Sequence, residues 1–355
     1  MPILGIHHLT AVCSNAQQTV TFYSQILGLR LVKQTVNFDD PGAYHLYFGD
    51  EKGTPGTIIT FFEWAHLKKG HWGIGTTHHL AFCVDSEEAQ KKWKRWLEQH
   101  GIRVTGPYNR TYFQSIYFTD PDGLILEIAT RLPGWTIDEE VDQLGTHLIT
   151  PDKGYTRSGR NEEAIAQLSW NEPVDSITAE MHITNLHHIT AIASNIEETT
   201  VFYTDVLEMN VVKRTYNYDD PTSPHFYFGV GDGKPGTIIT YFGYAPTTMR
   251  YGQIGVGMTH HFAFAVENEE IQREWRVKLI KAGLQVSPVM ERVYFKSIYF
   301  NDPDGHILEI ATMNPGFHVD EELDSLGTRL KLPKWLETNR KEIEASLEPI
   351  HITNN

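Results

Sequence analysis

Cysteine is nearly missing from this chain: 2 residues in 355, Cys13 and Cys83. Two cysteines cannot build a disulfide framework or a thiolate zinc cluster. Both stand in apolar, strand-like runs and are expected to be buried thiols in a reducing compartment. The first residues, Met1-Pro2-Ile3-Leu4-Gly5, lack a basic stretch followed by an apolar one, so no secretory signal is read there and the expected location is cytoplasmic. No run of ~18 apolar residues occurs, which argues against a membrane-spanning helix. Positive charge is also scarce. Lys and Arg number 30 against 45 Asp and Glu, for a formal net charge of −15. A field of that sign disfavours nucleic acid, whose binding rests on basic surface, and equally an anionic membrane. Histidine, by contrast, is plentiful, with 18 residues.

The sequence is written twice. Leu186-His187-His188-Ile189-Thr190-Ala191 echoes Ile6-His7-His8-Leu9-Thr10-Ala11, and residues 235–240 repeat Pro55-Gly56-Thr57-Ile58-Ile59-Thr60. Residues 297–312 match 115–130 at 14 of 16 positions, the exceptions being Thr119/Asn301 and Leu124/His306. The halves are expected to span 1–150 and 182–330, joined by a polar connector at 151–181. A tail follows at 331–355. Its Trp335, Leu336, Ile343 and Leu347 predict an amphipathic helix over 333–347 that covers the body or forms a subunit contact in a homo-oligomer.

Each half divides again. The pattern predicts a strand at 6–12, a helix opened by the capping box Ser14-x-x-Gln17 and closed by Gly28, then strands at 29–35, 43–48 and 57–62. The second quarter repeats that order: a strand at 78–84, a helix at 87–99, and strands at 102–105, 115–119 and 124–129. Asp120-Pro121-Asp122-Gly123 forms the turn between the last two. The reading is therefore an α+β fold of four βαβββ modules, at about 5–62, 76–130, 185–242 and 258–312. A helix covers one face of each module's sheet. Two modules side by side would curve their open faces around a funnel suited to a ligand.

Each module's first strand begins with a histidine doublet: 7–8, 78–79, 187–188 and 260–261. Side chains alternate faces along a strand. Bulky Leu9, Leu80, Phe82, Ile189, Phe262 and Phe264 share the parity of each first histidine and suit packing on a helix. Small Thr10, Ala81, Cys83, Thr190, Ala263 and Ala265 share the parity of the second, which places His8, His79, His188 and His261 on the funnel wall. By the same argument Glu127 and Glu309 point inward from otherwise apolar last strands, where an unpartnered carboxylate is costly. A divalent cation held by neutral imidazoles would partner them.

A lone buried histidine is ordinarily a hydrogen-bonded core residue, and duplication copies structural residues as faithfully as ligands. Four equivalent doublets with a glutamate on the only other inward strand favour metal. His45 and His225 are expected in the pocket wall or core. Tyr112, Phe113, Tyr117, Tyr294, Phe295 and Tyr299 are expected to be mostly strand-packing residues. Thr60 and Thr240 occupy the places equivalent to Glu127 and Glu309, so each funnel offers two histidines and one carboxylate. That set, with open positions, belongs to non-haem Fe(II) oxygenases. A second carboxylate would instead suit proton transfer on zinc or nickel.

The four modules, with His-His-[Leu/Ile]-Thr at the start of the first and third and Asp-Pro-Asp-Gly-x-Ile-Leu-Glu near the end of the second and fourth, resemble the vicinal oxygen chelate superfamily. Together with Tyr44-His45-Leu46-Tyr47-Phe48, Gly53-Thr54-Pro55-Gly56-Thr57 and Leu-Gly-Thr-x-Leu-x-Leu-Pro at 326–333, they resemble its ring-cleaving, hydroquinone 1,2-dioxygenase-like branch. The resemblance covers nearly the whole chain. It implies metal ligands at His8, His261 and Glu309, hence pairing of module one with four and two with three, and leaves His188, His79 and Glu127 as a second set. The residues alone leave the pairing open: adjacent pairing would give His8, His79, Glu127 and His188, His261, Glu309. The resemblance further implies near-site roles for Thr10, Arg292 and Tyr299; Arg110 and Tyr117 are the twins of the last two, so surface pairing or packing competes with catalysis there. The implied cofactor is Fe(II), with Mn(II) or Zn(II) as alternatives. The implied partners are a small aromatic diol, a hydroquinone or catechol, and O2. The competing classes are a glyoxalase-like zinc or nickel lyase or isomerase, and a metal-free protein that sequesters a small aromatic.

Overall fold

The computed structural model describes residues 2–352. Its two curved mixed sheets do not follow the two halves of the sequence. One has eight strands, in the order Met290–Glu291, Lys296–Asn301, Ile307–Thr312, Thr259–Val266, Gly5–Cys13, Ile58–Glu63, Asp40–Gly49 and Arg30–Asn37, and so joins module four to module one. The other joins module two to module three through Thr77–Val84 and Asn185–Ala193, with Leu148–Ile149 added at its edge to make nine strands. In each sheet the seam is an antiparallel pair of first strands, Gly5–Cys13 against Thr259–Val266 and Asn185–Ala193 against Thr77–Val84.

The expected alternation decides what lies on each face. Leu9, Leu80, Phe82, Ile189, Phe262 and Phe264 are all buried in the main core, together with Trp93 and Trp275 from the helices Glu87–Gln99 and Glu269–Lys281. On the opposite faces Ala263 and Ala311 pack in one small cluster, and Ala81 and Ala129 in its counterpart. These clusters floor the two funnels.

Local details depart from expectation for identifiable reasons. The first helix is capped by Asn15, whose side chain accepts from the Gln18 N–H; Ser14 instead donates its hydroxyl to Asp122 and ties module one to module two. After Ala16–Val20 the helix widens into a π-helical turn at Thr21–Ile26 before Gly28 (φ 68°) stops it. Residues 102–104 form no strand. Beyond Gly101 the Ile102 N–H turns back to Leu97 O, a helix-ending bond that keeps the segment off the sheet until Thr105. The tail helix is short, Arg340–Ser346; Ile343 and Leu347 are buried, but Trp335 stays half exposed. No described helix is long and apolar enough to cross a membrane.

Candidate metal centre

Register brings the ligand candidates together. His8 lies opposite Ala263, and Ala263 lies opposite Glu309, so one row across three strands reads His–Ala–Glu. The small Ala263 side chain leaves room for imidazole and carboxylate to meet above it. His261 stands two residues earlier on the same face, opposite Thr10. His8 Nε2 is 3.3 Å and His261 Nε2 3.0 Å from Glu309 Oε2. The other sheet repeats the row as His188–Ala81–Glu127. There His79 Nε2 lies 2.9 Å and His188 Nε2 3.5 Å from Glu127 Oε2. All six residues are buried, and among the described residues each group contains only these three metal-capable side chains. The structure thus assembles the sets with one-to-four and two-to-three pairing, and not those of adjacent pairing.

Both sites are oriented from behind. His8 Nδ1 meets His7 Nδ1 at 2.9 Å, and His7 Nε2 reaches Thr312 O at 3.3 Å. A proton on His7 Nε2 serves that carbonyl, so His7 Nδ1 accepts from His8 Nδ1–H. The His8 Nε2 lone pair is then free to face inward. The same Nδ1–Nδ1 contact recurs at 2.8 Å in the other three doublets. Burial and the adjacent imidazole push His7, His78, His187 and His260 down to about 3, so each is neutral at ordinary pH.

The carboxylates are held with equal care. Ser297 Oγ donates to Glu309 Oε1, and Ser115 Oγ to Glu127 Oε1. Burial alone would raise both carboxyls, but the facing histidines hold them well below the usual carboxylate range. Oε2 of each glutamate is buried without an aligned hydrogen-bond donor. A buried carboxylate oxygen facing two imidazole Nε2 atoms within 3.5 Å is a donor set that suits a divalent cation, so the residues present fit such an ion.

A cavity of about 440 Å³ opens over His8 and His261, walled by Tyr47, Phe62, Trp64 and Phe295. Arg292 and Tyr299 both reach it: Arg292 Nε donates to the Tyr299 hydroxyl at 3.2 Å, and its Nη1 bonds Asp39 at 3.2 Å. Burial opposes the Arg292 charge, but Tyr299, Asp39 and Glu309 raise its pKa above the ordinary arginine value. Burial keeps Tyr299 protonated. Thr10 is different. It lies outside the cavity lining, fully buried, with its hydroxyl 2.8 Å from that of Thr60. Thr60 in turn meets His45 Nε2 at 2.9 Å, and His45 Nδ1 accepts from Tyr47.

His260 and His78 also line their cavities, although parity assigned them to the opposite face. The ladder skips a residue between Thr10↔His261 and Ala11↔Thr259, and this bulge re-aims His260; His78 sits at the equivalent skip. His45 and His225 are wall residues as expected, and Phe113, Tyr117, Phe295 and Tyr299 are wall residues beyond that expectation; Tyr112 and Tyr294 pack in the floor clusters. Sequence reasoning passed over Ser115 and Ser297. Their signal was a small polar residue sharing inward parity with Tyr117 and Tyr299.

Known proteins carry the same arrangement of chain. The profile of the Glyoxalase/Bleomycin resistance protein/Dioxygenase superfamily matches residues 5–128 and again 185–310. The chain is 34% identical over 353 residues to the “Putative ring-cleaving dioxygenase MhqO” of Bacillus subtilis (strain 168), covering 98% of this chain and 97% of that one. It is 27% identical over 355 residues to the chlorohydroquinone/hydroquinone 1,2-dioxygenase of Sphingobium indicum, covering 98% and 97%. A crystal structure of a “putative dioxygenase” from Bacillus subtilis superimposes with a TM-score of 0.79 at 32% identity, over 99% of both chains. This chain, with its four βαβββ modules, belongs to the Glyoxalase/Bleomycin resistance protein/Dioxygenase superfamily.

Proposed function

We propose that this chain is a non-haem Fe(II) dioxygenase that opens the ring of a hydroquinone or catechol with O2. The observation that carries the proposal is the bare Oε2 of Glu309 faced by two imidazole nitrogens at the bottom of an aromatic-walled cavity sized for one ring. Dioxygenase relatives that align end to end with the chain support the same chemistry. His8, His261 and Glu309 would hold the metal. Bound there, Fe(II) would supply Lewis acidity toward the substrate oxygens and a path for electrons between diol and O2.

The protein's own groups account for binding and proton handling. Phe295, Phe62 and Trp64 in the cavity wall offer the ring apolar contact and limit the access of water. The fixed Arg292 cation faces the anionic oxygen of a singly deprotonated diol, and the neutral Tyr299 O–H donates to it. His260, held neutral beside His261, lines the cavity as a polar wall group rather than as a base. Thr10, Thr60 and His45 form a positioning chain behind the ligands. The overall reaction breaks one ring C–C bond and retains both atoms of O2 in the product, so no external reductant is consumed. Two buried free thiols, Cys13 and Cys83, support a cytoplasmic setting.

The test is oxygen uptake by protein loaded anaerobically with Fe(II). Equimolar loss of O2 and hydroquinone, abolished by chelation, is expected. Turnover independent of O2 on zinc or nickel would overturn the proposal in favour of a lyase or isomerase.

A further inference from the structure

The sheet of modules two and three carries a complete second set of the same groups over a different cavity. It has the oriented histidines, the serine-held Glu127 with its bare Oε2, and Arg110 beside Tyr117 (guanidinium 5.4 Å from the ring centre) in place of Arg292 and Tyr299. A structural relic has no reason to keep a buried carboxylate whose second oxygen is faced only by two imidazoles and has no aligned donor. Glu127 Oε2 faces His79 Nε2 at 2.9 Å and His188 Nε2 at 3.5 Å, the same three-atom grouping as at Glu309, and a cation there would partner all three.

What differs is the wall. This cavity is about 840 Å³, against about 440 Å³ for the other. The connector between the halves supplies part of it, through Arg157, Arg160 and Glu162. Among the described residues four arginines line it (Arg103, Arg110, Arg157 and Arg160), opposed by Asp219 and Glu162 apart from the ligand glutamate. Asp219 is already shared by Arg110 at 2.9 Å and Arg160 at 2.6 Å. Arg103 and Arg157 stand exposed at the mouth. The smaller cavity has the reverse balance, one arginine, Arg292, against Asp39 and Asp40. Mouths of opposite charge select ligands of opposite charge.

We propose that modules two and three form a second metal site, held by His79, His188 and Glu127, whose substrate is a dihydroxyaromatic bearing an anionic group such as a carboxylate. This rests on reading His8, His261 and Glu309 as a metal centre. The first site then takes smaller diols without a charged ring substituent, and one chain handles both classes.

The experiment is anaerobic dialysis of the full chain against Co(II), followed by metal analysis and calorimetry with hydroquinone and 2,5-dihydroxybenzoate as probes. The expected result is about two metals per chain, falling to about one in Glu127→Gln and to about one in Glu309→Gln. Binding of 2,5-dihydroxybenzoate should survive Glu309→Gln and vanish in Glu127→Gln. Replacing both exposed mouth arginines (R103S with R157S) should weaken it about fivefold with two metals retained. Those arginine changes disturb no buried contact, so they report even where Glu127→Gln misfolds. One metal per chain, kept in Glu127→Gln and lost in Glu309→Gln, would overturn the second site and leave the first intact. Two metals with 2,5-dihydroxybenzoate binding indifferent to the arginines would overturn the charge assignment. No metal at either site would overturn both readings.

Discussion

Glu309 sits 3.3 and 3.0 Å from its two histidines in one sheet, and Glu127 sits 3.5 and 2.9 Å from the equivalent pair in the other. Serine, histidine doublet and phenylalanine surround each centre in the same order. The mouths above them share neither charge nor size. The difference follows from where each part is encoded. The centres arise wholly from strands of the duplicated modules, whose register reproduces itself. The walls draw on segments present once, above all the connector that delivers Arg157 and Arg160 to one cavity only.

A second contrast lies in the turns beneath the seams. In module four His306 Nδ1 meets Asp302 Oδ2 at 2.8 Å, and Asp302 stays ionised with its pKa lowered, the imidazole outweighing burial. Module two has Leu124 in that place, and burial pushes the equivalent Asp120 up to about 7.

Substitutions that equalise or separate the two regions test these comparisons. The largest effect is expected from Glu309→Gln, which should reduce hydroquinone-dependent O2 uptake at least about a thousandfold, read in an oxygen electrode after anaerobic iron loading. Next comes the turn. The folded pKa of Asp120 lies above its unfolded value of 3.8, so its stabilising contribution is complete below about pH 4 and is lost as pH rises toward 7. Leu124→His should lower that pKa and flatten the decline by on the order of a few kcal/mol, measured by urea unfolding at pH 4.5 and 7.5. An unchanged slope would show that His306 does not account for the difference between the turns. A smaller change is expected of Ser297→Ala, which frees Glu309 Oε1 and should weaken metal binding at that site about tenfold to a hundredfold; Ser115→Ala should do the same at the other. Equal affinities before and after either change would remove serine from the account. Smallest is Thr60→Val, which cuts the Thr10–Thr60–His45 chain and should lower kcat about threefold at constant metal content. A loss of metal in that variant would make the chain part of the binding apparatus.

The modules were legible because each element carried its own periodicity and appeared four times. Inward parity alone placed all six ligand candidates on the funnel side. Pairing was not legible. It depends on which first strands share an edge, and the Gly5–Cys13 strand meets residues 259–266 without any local pattern to announce it. The exposure of His260 and His78 required a bulge, which shifts parity without changing composition. Thr10 looked like a wall residue because it shares the parity of His8; its hydroxyl is claimed by Thr60 instead. Arg157 and Arg160 were hidden by lying in what reads as linker, since their role comes only from how the connector folds back over modules two and three.

Anomalous diffraction at the iron edge, from crystals soaked anaerobically in Fe(II), tests the central claim most directly. The account predicts a peak between the Nε2 atoms of His8 and His261 and the Oε2 of Glu309. A featureless map there, with those side chains ordered and the iron bound elsewhere or nowhere, would contradict it.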